Sequence, residues 1–401
     1  MKSTRWIAGL AAASLLFLSA PIKADTLENG GGPYTVYNED GSVLFTYSGQ
    51  VYAEDQYISG DNKLYQVSEV DDTARQGKAA YVEDVELPDI FEEVDSTAFA
   101  PEDTKRIAIY FTHTDESYIP GDGAESVEGQ GGIVDVGEEF AAALEEKGVE
   151  VEVDTTNHLP HDAGAYRRSK STVTNLLESN PDAIFDIHRD GVSADEYVQE
   201  IDGEAVSKIR MVVGKKNQNQ QANLEFAKSI KAVADKEYPG LVKDIYIGKG
   251  SYNQEIGPRC ILFELGTHEI EKERVLASSG LLADVVYTTL YGGTVEDKSE
   301  VSGGGEEAPH QTPEASAGGA GGAGSAGATP QAQQAKTYNV KPAREESKGM
   351  GSGLIWLLVV VVGGGAIFLF VSTGKNERKT KLVDNVREMF PFKKRDDDDP
   401  S

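Results

Sequence analysis

Between Arg106 and Leu290 short apolar runs alternate with longer amphipathic stretches, and this alternation limits the chain more than any other feature. Strand-like runs stand at Arg106–Phe111, Val149–Val153, Ala183–Ile187, Ile209–Val213, Ile245–Ile247 and Arg259–Glu264. Stretches with helical spacing lie between them at Gly137–Lys147, Ser169–Ser179, Gln218–Tyr238 and Glu271–Thr289, with Ser169 and Asn217 as expected caps. A chain that switches repeatedly between a period of 2 and one of 3.6 buries both kinds of face by layering helices on a sheet. The expectation is a three-layer α/β domain over residues 101–295.

The rest of the chain has a different composition. Residues 25–100 carry short alternating runs such as Tyr34-Thr-Val-Tyr37 and Val43-Leu-Phe-Thr-Tyr47, punctuated by Asp40-Gly41 and Ser59-Gly60-Asp61-Asn62. Those are hairpin signals, so a small all-β unit of accessory or partner-binding character is expected there. Lys2, Arg5, an apolar stretch from Trp6 and the small residue Ala24 read as an export signal over residues 1–24, with an uncleaved anchor as the competing reading. Residues 296–352 are rich in Gly, Ala, Pro and Gln and are expected to stay unfolded, as a tether about 40 Å across by square-root scaling. The uncharged apolar segment at 353–373 is followed by Lys375, Arg378, Lys379 and Lys381. It predicts a single transmembrane helix with residues 374–401 in the cytoplasm and the α/β domain outside the cell membrane.

A formal charge of -29 argues against a nucleic-acid partner, which calls for clustered Lys and Arg. One cysteine rules out an intrachain disulfide framework, and its place in the apolar run Cys260-Ile-Leu-Phe263 suits a buried core residue.

Two segments carry the chemistry. Ile109-Tyr-Phe-Thr-His113-Thr-Asp-Glu116-Ser-Tyr118 and Phe185-Asp-Ile-His188-Arg-Asp190 each run an apolar stretch into a histidine flanked by carboxylates. Parallel strands deliver their C-terminal ends to one sheet edge, where such side chains can meet on one ion. His113 and His188 are therefore the candidate zinc ligands, with Glu116 as the nearest third donor. A lone histidine at a strand end is more often a hydrogen-bonded structural residue; two with the same carboxylate pattern favour a metal. Arg189 and Asp190 are candidates for contacting substrate or for pairing with each other, and Tyr252 and Asn253 for lining a groove or closing a turn. His158 and His161 sit in a polar loop and His310 in the tether, so all three are expected in solvent. His268-Glu269 lacks the second histidine of a zincin helix. No Gly-x-Ser-x-Gly elbow and no phosphate-cradling Gly-x-x-x-x-Gly-Lys is present.

Thr112-His113-Thr-Asp-Glu116-Ser-Tyr118, Asp186-Ile-His188-Arg-Asp190, Val213-Gly-Lys-Lys216, Glu237-Tyr-Pro-Gly-Leu241, Tyr252-Asn-Gln254 and Leu262-Phe-Glu264-Leu-Gly266 together resemble the stage II sporulation protein P family in order and spacing. The resemblance implies an amidase-like fold related to zinc-dependent N-acetylmuramoyl-L-alanine amidases and, as in members of this family, cleavage of peptidoglycan during engulfment, in some with added endopeptidase activity. It places Glu264 where related amidases carry their catalytic glutamate, and a ligand glutamate near Glu138. It also implies as partners the lytic transglycosylase called stage II sporulation protein D and a membrane protein that localises both. The chain departs from the family in reading Phe111-Thr112-His113 where members commonly carry a histidine first, and in having its convincing span at the C-terminus. The first departure is the best support for a rival reading, a catalytically silent wall-binding or scaffold protein.

Overall fold

The computed structural model describes residues 32–93, 104–162, 164–297 and 336–342. The export signal, most of the tether, the apolar segment 353–373, the tail and His310 lie outside the described residues, among which no helix is long and apolar enough to cross a membrane.

Five strands come first: β1 (Tyr34–Tyr37), β2 (Val43–Tyr47), β3 (Gln56–Ile58), β4 (Lys63–Asp71) and β5 (Gln76–Asp84), then the short β6 (Phe91–Glu93). The α/β part follows as β7 (Arg106–Tyr110), α1 (Ile119–Asp122), α2 (Gly132–Glu145), β8 (Glu150–Asp154), α3 (Ala165–Leu176) and β9 (Ala183–Asp190). It continues through β10 (Val198–Ile201), β11 (Glu204–Ser207), β12 (Ile209–Gly214), α4 (Gln220–Glu237), β13 (Val242–Gly248), β14 (Cys260–Thr267), α5 (Lys272–Tyr291) and β15 (Gly293–Asp297), with β16 (Lys336–Val340) last.

The β unit expected to stand apart does not. β3 pairs antiparallel with β13, so eleven strands form one sheet in the order β2-β1-β5-β4-β3-β13-β12-β14-β9-β7-β8. An exposed β13 edge would present unpaired backbone groups, and β3 covers it. The α/β half is mixed: β7, β8, β9 and β14 run parallel, while β12 and β13 run against β14.

Each face of this sheet has its own cover. Ile109, Phe185, Met211, Ile245 and Phe263 meet Phe140 of α2, Ile230 of α4 and Leu282 of α5 on one side. On the other side Tyr110, Ile184 and Cys260 meet Val173 and Leu176 of α3. There the sheet also curls over itself, so that Val212, Tyr246 and Leu262 meet Phe45, Tyr47 and Tyr57. Cys260 is buried, and burial pushes its thiol up to about 12.

Local differences from the sequence expectation have local causes. α2 starts at Gly132 and not at Gly137, because a Cβ on Gly131 would stand 2.1 Å from the Glu116 carbonyl oxygen; only glycine lets the helix start approach the 113–118 loop. α3 starts at Ala165, leaving Ser169 buried inside the helix, not capping it. The β10–β11 hairpin turns at Asp202-Gly203, both at positive φ, a turn signal the strand pattern overlooked. Lys336–Val340, inside the segment expected to stay unfolded, pairs between β15 and β6 and buries Val340.

Candidate metal centre

His113 lies three residues beyond β7, on a loop tied to the neighbouring strand. Thr112 donates its backbone N–H to Asp186 Oδ1 (2.9 Å) and its hydroxyl to Asp186 Oδ2 (2.7 Å). His188 lies inside β9, and its imidazole centroid is 5.3 Å from that of His113 at an interplanar angle of 74°. Two imidazoles bound to one zinc at about 2.0–2.1 Å and a near-tetrahedral angle would stand with centroids about 5 Å apart. Tyr166 of α3 stacks on His188 at 6.2 Å and meets the edge of His113 at 5.9 Å.

Glu116, expected as third ligand, faces elsewhere. Its Oε2 accepts the Arg189 backbone N–H (2.9 Å), and its Oε1 is 3.3 Å from His188 Nδ1. That is the place of a carboxylate that fixes the tautomer and orientation of a ligand histidine. Glu138 is on the exposed face of α2. Among the described residues, His113, Asp115 and His161 form a cluster whose ligand atoms lie mutually within 4.8 Å. His161, expected in solvent, stacks on His113 at 3.8 Å, and its Nδ1 stands 3.1 Å from both Asp115 oxygens. Since the two rings are only 14° from parallel, their in-plane lone pairs do not converge, and Asp115 is the better-placed donor of the pair. His158 is buried as well, and burial pushes its pKa down.

Glu264 sits opposite His188 on parallel strands β14 and β9 and is fully buried. Among the described residues neither of its carboxylate oxygens has a hydrogen-bond partner, and neither does either nitrogen of His113. His188 Nε2 is 3.1 Å from Asp186 Oδ1 but out of line for a hydrogen bond. Buried polar groups are nearly always paired, so orphan nitrogens and carboxylate oxygens gathered at one place call for a partner, and an ion with the water it holds could supply one. Zinc fits this set: buried imidazole and carboxylate donors, with further carboxylates beside them.

The charges follow from burial. Desolvation, reinforced by His161 and His188, holds His113 well below the usual histidine range, so it presents neutral lone pairs. Desolvation opposes charge on His188, but Asp186 and Glu116 outweigh it and raise its pKa. Desolvation and then Asp190 raise Glu264 well above the ordinary carboxylate range.

The residues expected to touch substrate do not face outward. Arg189 is buried and donates to the carbonyls of Ser117 (3.0 Å) and Glu125 (2.6 Å), pinning the loop that carries Glu116. Asp190 accepts from Ser48 N–H, Tyr197 OH and Arg210 Nη1. Tyr252 and Asn253 are buried too; Asn253 donates to Ser169 Oγ, fastening the turn before β14 to α3. Sequence reasoning missed Asp115, His161, Tyr166, Arg210 and Asp244. The signal for Arg210 was a charge inside an otherwise apolar strand.

The chain is similar to stage II sporulation protein P of Bacillus subtilis (strain 168), 30% identical over 209 residues that make up 47% of this chain and 52% of that protein. The chain thus spans about half the length of this curated relative. Among solved structures it is similar to the CwlD amidase from Clostridioides difficile in complex with the GerS lipoprotein, with 14% identity, 46% of this chain and 95% of that one covered, and a TM-score of 0.32. An N-acetylmuramoyl-L-alanine amidase from Clostridium difficile 630 gives 15% identity, 46% and 92% coverage and a TM-score of 0.29, and superpositions this slight carry no weight for the site. The match to stage II sporulation protein P (SpoIIP) runs over residues 35–287, from β1 through most of α5, and takes in both the curled β strands and the histidine cluster: this chain belongs to that family.

Proposed function

We propose that the protein is a membrane-tethered, zinc-dependent N-acetylmuramoyl-L-alanine amidase that cuts peptidoglycan in sporulation. The observation that carries this reading is the meeting of buried His113, His188 and Glu264, where both His113 nitrogens, His188 Nε2 and both Glu264 oxygens have no hydrogen-bond partner among the described residues. His113 and His188 would hold the zinc, the Asp115–His161 pair would supply the third donor, and Glu116 would orient His188. Zinc, when bound, would supply a Lewis acid able to activate water near neutral pH. Glu264 accepts the proton of the attacking water and delivers it to the departing amine of the L-alanine. A carboxylate whose pKa is raised by burial suits both halves of that transfer. Tyr166 walls the site from the α3 side.

The rival scaffold reading rested on Phe111 standing where relatives commonly carry a histidine. The Phe111 ring is fully buried against α2, where a Cβ on Gly137 would come within 2.4 Å of it. That side chain belongs to the core face, so its identity does not subtract a donor from the site. By family resemblance the partners are a sporulation lytic transglycosylase and a membrane protein that localises both, and the apolar segment at 353–373 would hold the enzyme at the cell membrane. Digestion of purified peptidoglycan with the full chain, followed by mass spectrometry of the new termini, tests the activity. Release of stem peptides beginning with L-alanine is expected; intact stems on every glycan, with zinc present, would overturn it.

A further inference from the structure

His188, Glu264, Arg210 and Asp244 stand in one register row across the adjacent strands β9, β14, β12 and β13. All four are fully buried on the face that the β1–β2 hairpin covers. Arg210 is thus the lateral neighbour of Glu264, yet it does not bind it. Its Nε and Nη2 donate to Asp244 Oδ1 (2.7 Å) and Oδ2 (3.0 Å), and Nη1 donates to Asp190 Oδ2 (2.8 Å) and to the Thr46 carbonyl (2.9 Å). The guanidinium carbon lies 5.3 Å from the Tyr47 ring centroid and 5.9 Å from that of Phe45. Ser48 N–H and Tyr197 OH in turn hold Asp190.

We propose that Arg210 is a positioning residue for Glu264, held off the carboxylate by Asp244 and by Asp190, with β2 closing the clamp from above. The inference rests on the reading of Glu264 as the base. A guanidinium this close would otherwise form a bidentate pair with Glu264, occupy the lone pairs that must receive a proton and lower their basicity. Two carboxylates and a backbone carbonyl take four of its five N–H donors first. What remains at Glu264 is a nearby positive charge without a competing hydrogen bond. The N-terminal strands are on this account part of the catalytic centre, since Thr46, Tyr47 and Ser48 all act on this clamp.

The test is a double-mutant cycle on the full chain, assayed on a soluble disaccharide-peptide fragment of peptidoglycan, with zinc content measured alongside. Asp244→Asn keeps shape but weakens the hold on Arg210, and the guanidinium then turns to Glu264. We expect kcat to fall at least tenfold with KM and zinc content near wild type, and no further fall when the same change is made in Glu264→Gln. A crystal structure of Asp244→Asn should show an Arg210–Glu264 hydrogen bond. Arg210→Lys, which keeps the charge but cannot span both carboxylates, goes through the same cycle and decides the matter if Asp244→Asn does not fold. An equal loss in both backgrounds, or no loss in the wild-type background, overturns the positioning role. Full activity in Glu264→Gln alone overturns the base assignment on which it stands.

Discussion

Glu264 and His188 face each other in register on neighbouring parallel strands, both without solvent access, and the glutamate has no hydrogen-bond partner among the described residues. Leaving a carboxyl group buried and unpaired is costly, typically about 1–3 kcal/mol or more. Sequences rarely keep such a feature without a use, and the use proposed here is to meet water and substrate that enter the site.

Glu264→Gln should therefore lower kcat by about 10² to 10⁴, the usual contribution of general acid/base catalysis. The amide keeps the size of the side chain but cannot take up the proton. Zinc content and melting temperature should stay at wild-type values or rise slightly, since a neutral group is easier to bury. Near-normal turnover would remove Glu264 from the mechanism.

The ligands should separate by metal content. His113→Ala and His188→Ala are expected to lose zinc and activity together, because each removes a donor that the others cannot replace. Glu116→Gln should retain zinc with about 10- to 100-fold weaker affinity, the usual penalty for removing a carboxylate that orients a ligand histidine. Asp115→Asn and His161→Ala should also lower zinc occupancy, as expected of a third donor and its support. Full zinc content in both would return the third position to Glu116.

Much of the α/β half was legible because its signals are local. Period switches marked the strands and helices to within a few residues, and His113, His188 and Glu264 stood out because each ends or interrupts an apolar run. Long-range closure was not legible. Nothing in Gln56-Tyr-Ile58 says that it pairs with Ile245–Ile247, and nothing in the 157–162 loop says that His161 reaches His113. For the same reason Arg189 and Asp190 looked like surface groups beside a ligand, although their buried partners lie 72 and 142 positions away, at Ser117 and Ser48.

Asp55 links the β strands to β13 and should leave a signature in pH. It accepts from Tyr246 OH (2.6 Å) and the Tyr52 N–H (2.8 Å), and burial raises its pKa from 3.8 to about 6 against the pull of those bonds. The folded protein therefore binds a proton that the unfolded chain has released between about pH 4 and pH 6. Stability from this group is fully present below pH 4 and is lost as pH rises through 6, by about 2–3 kcal/mol at 1.36 kcal/mol per unit. Urea denaturation of wild type and Asp55→Asn across pH 4–7 should show that decline shrink by this amount in the variant; identical slopes would remove Asp55 as its source.

Removing residues 33–87 should not yield a working catalytic domain. The cut would strip β3 from β13, leaving an open strand edge in the middle of the chain's largest sheet. It would also uncover Val212, Tyr246 and Leu262, now packed by Phe45, Tyr47 and Tyr57, including the stack of Phe45 on Tyr57 at 4.4 Å. At about 25 cal/mol per Å² of apolar surface and 150–250 Å² for each buried aromatic, losing these three rings alone removes on the order of 10 kcal/mol, comparable to the whole stability of a domain. Arg210 would lose the Thr46 carbonyl and Asp190 the Ser48 N–H, so two buried charges would be left short of partners as well. The expected product is aggregated or lacks a cooperative thermal transition. A soluble fragment of residues 101–297 that melts cooperatively and binds zinc would show instead that the β strands are an accessory after all.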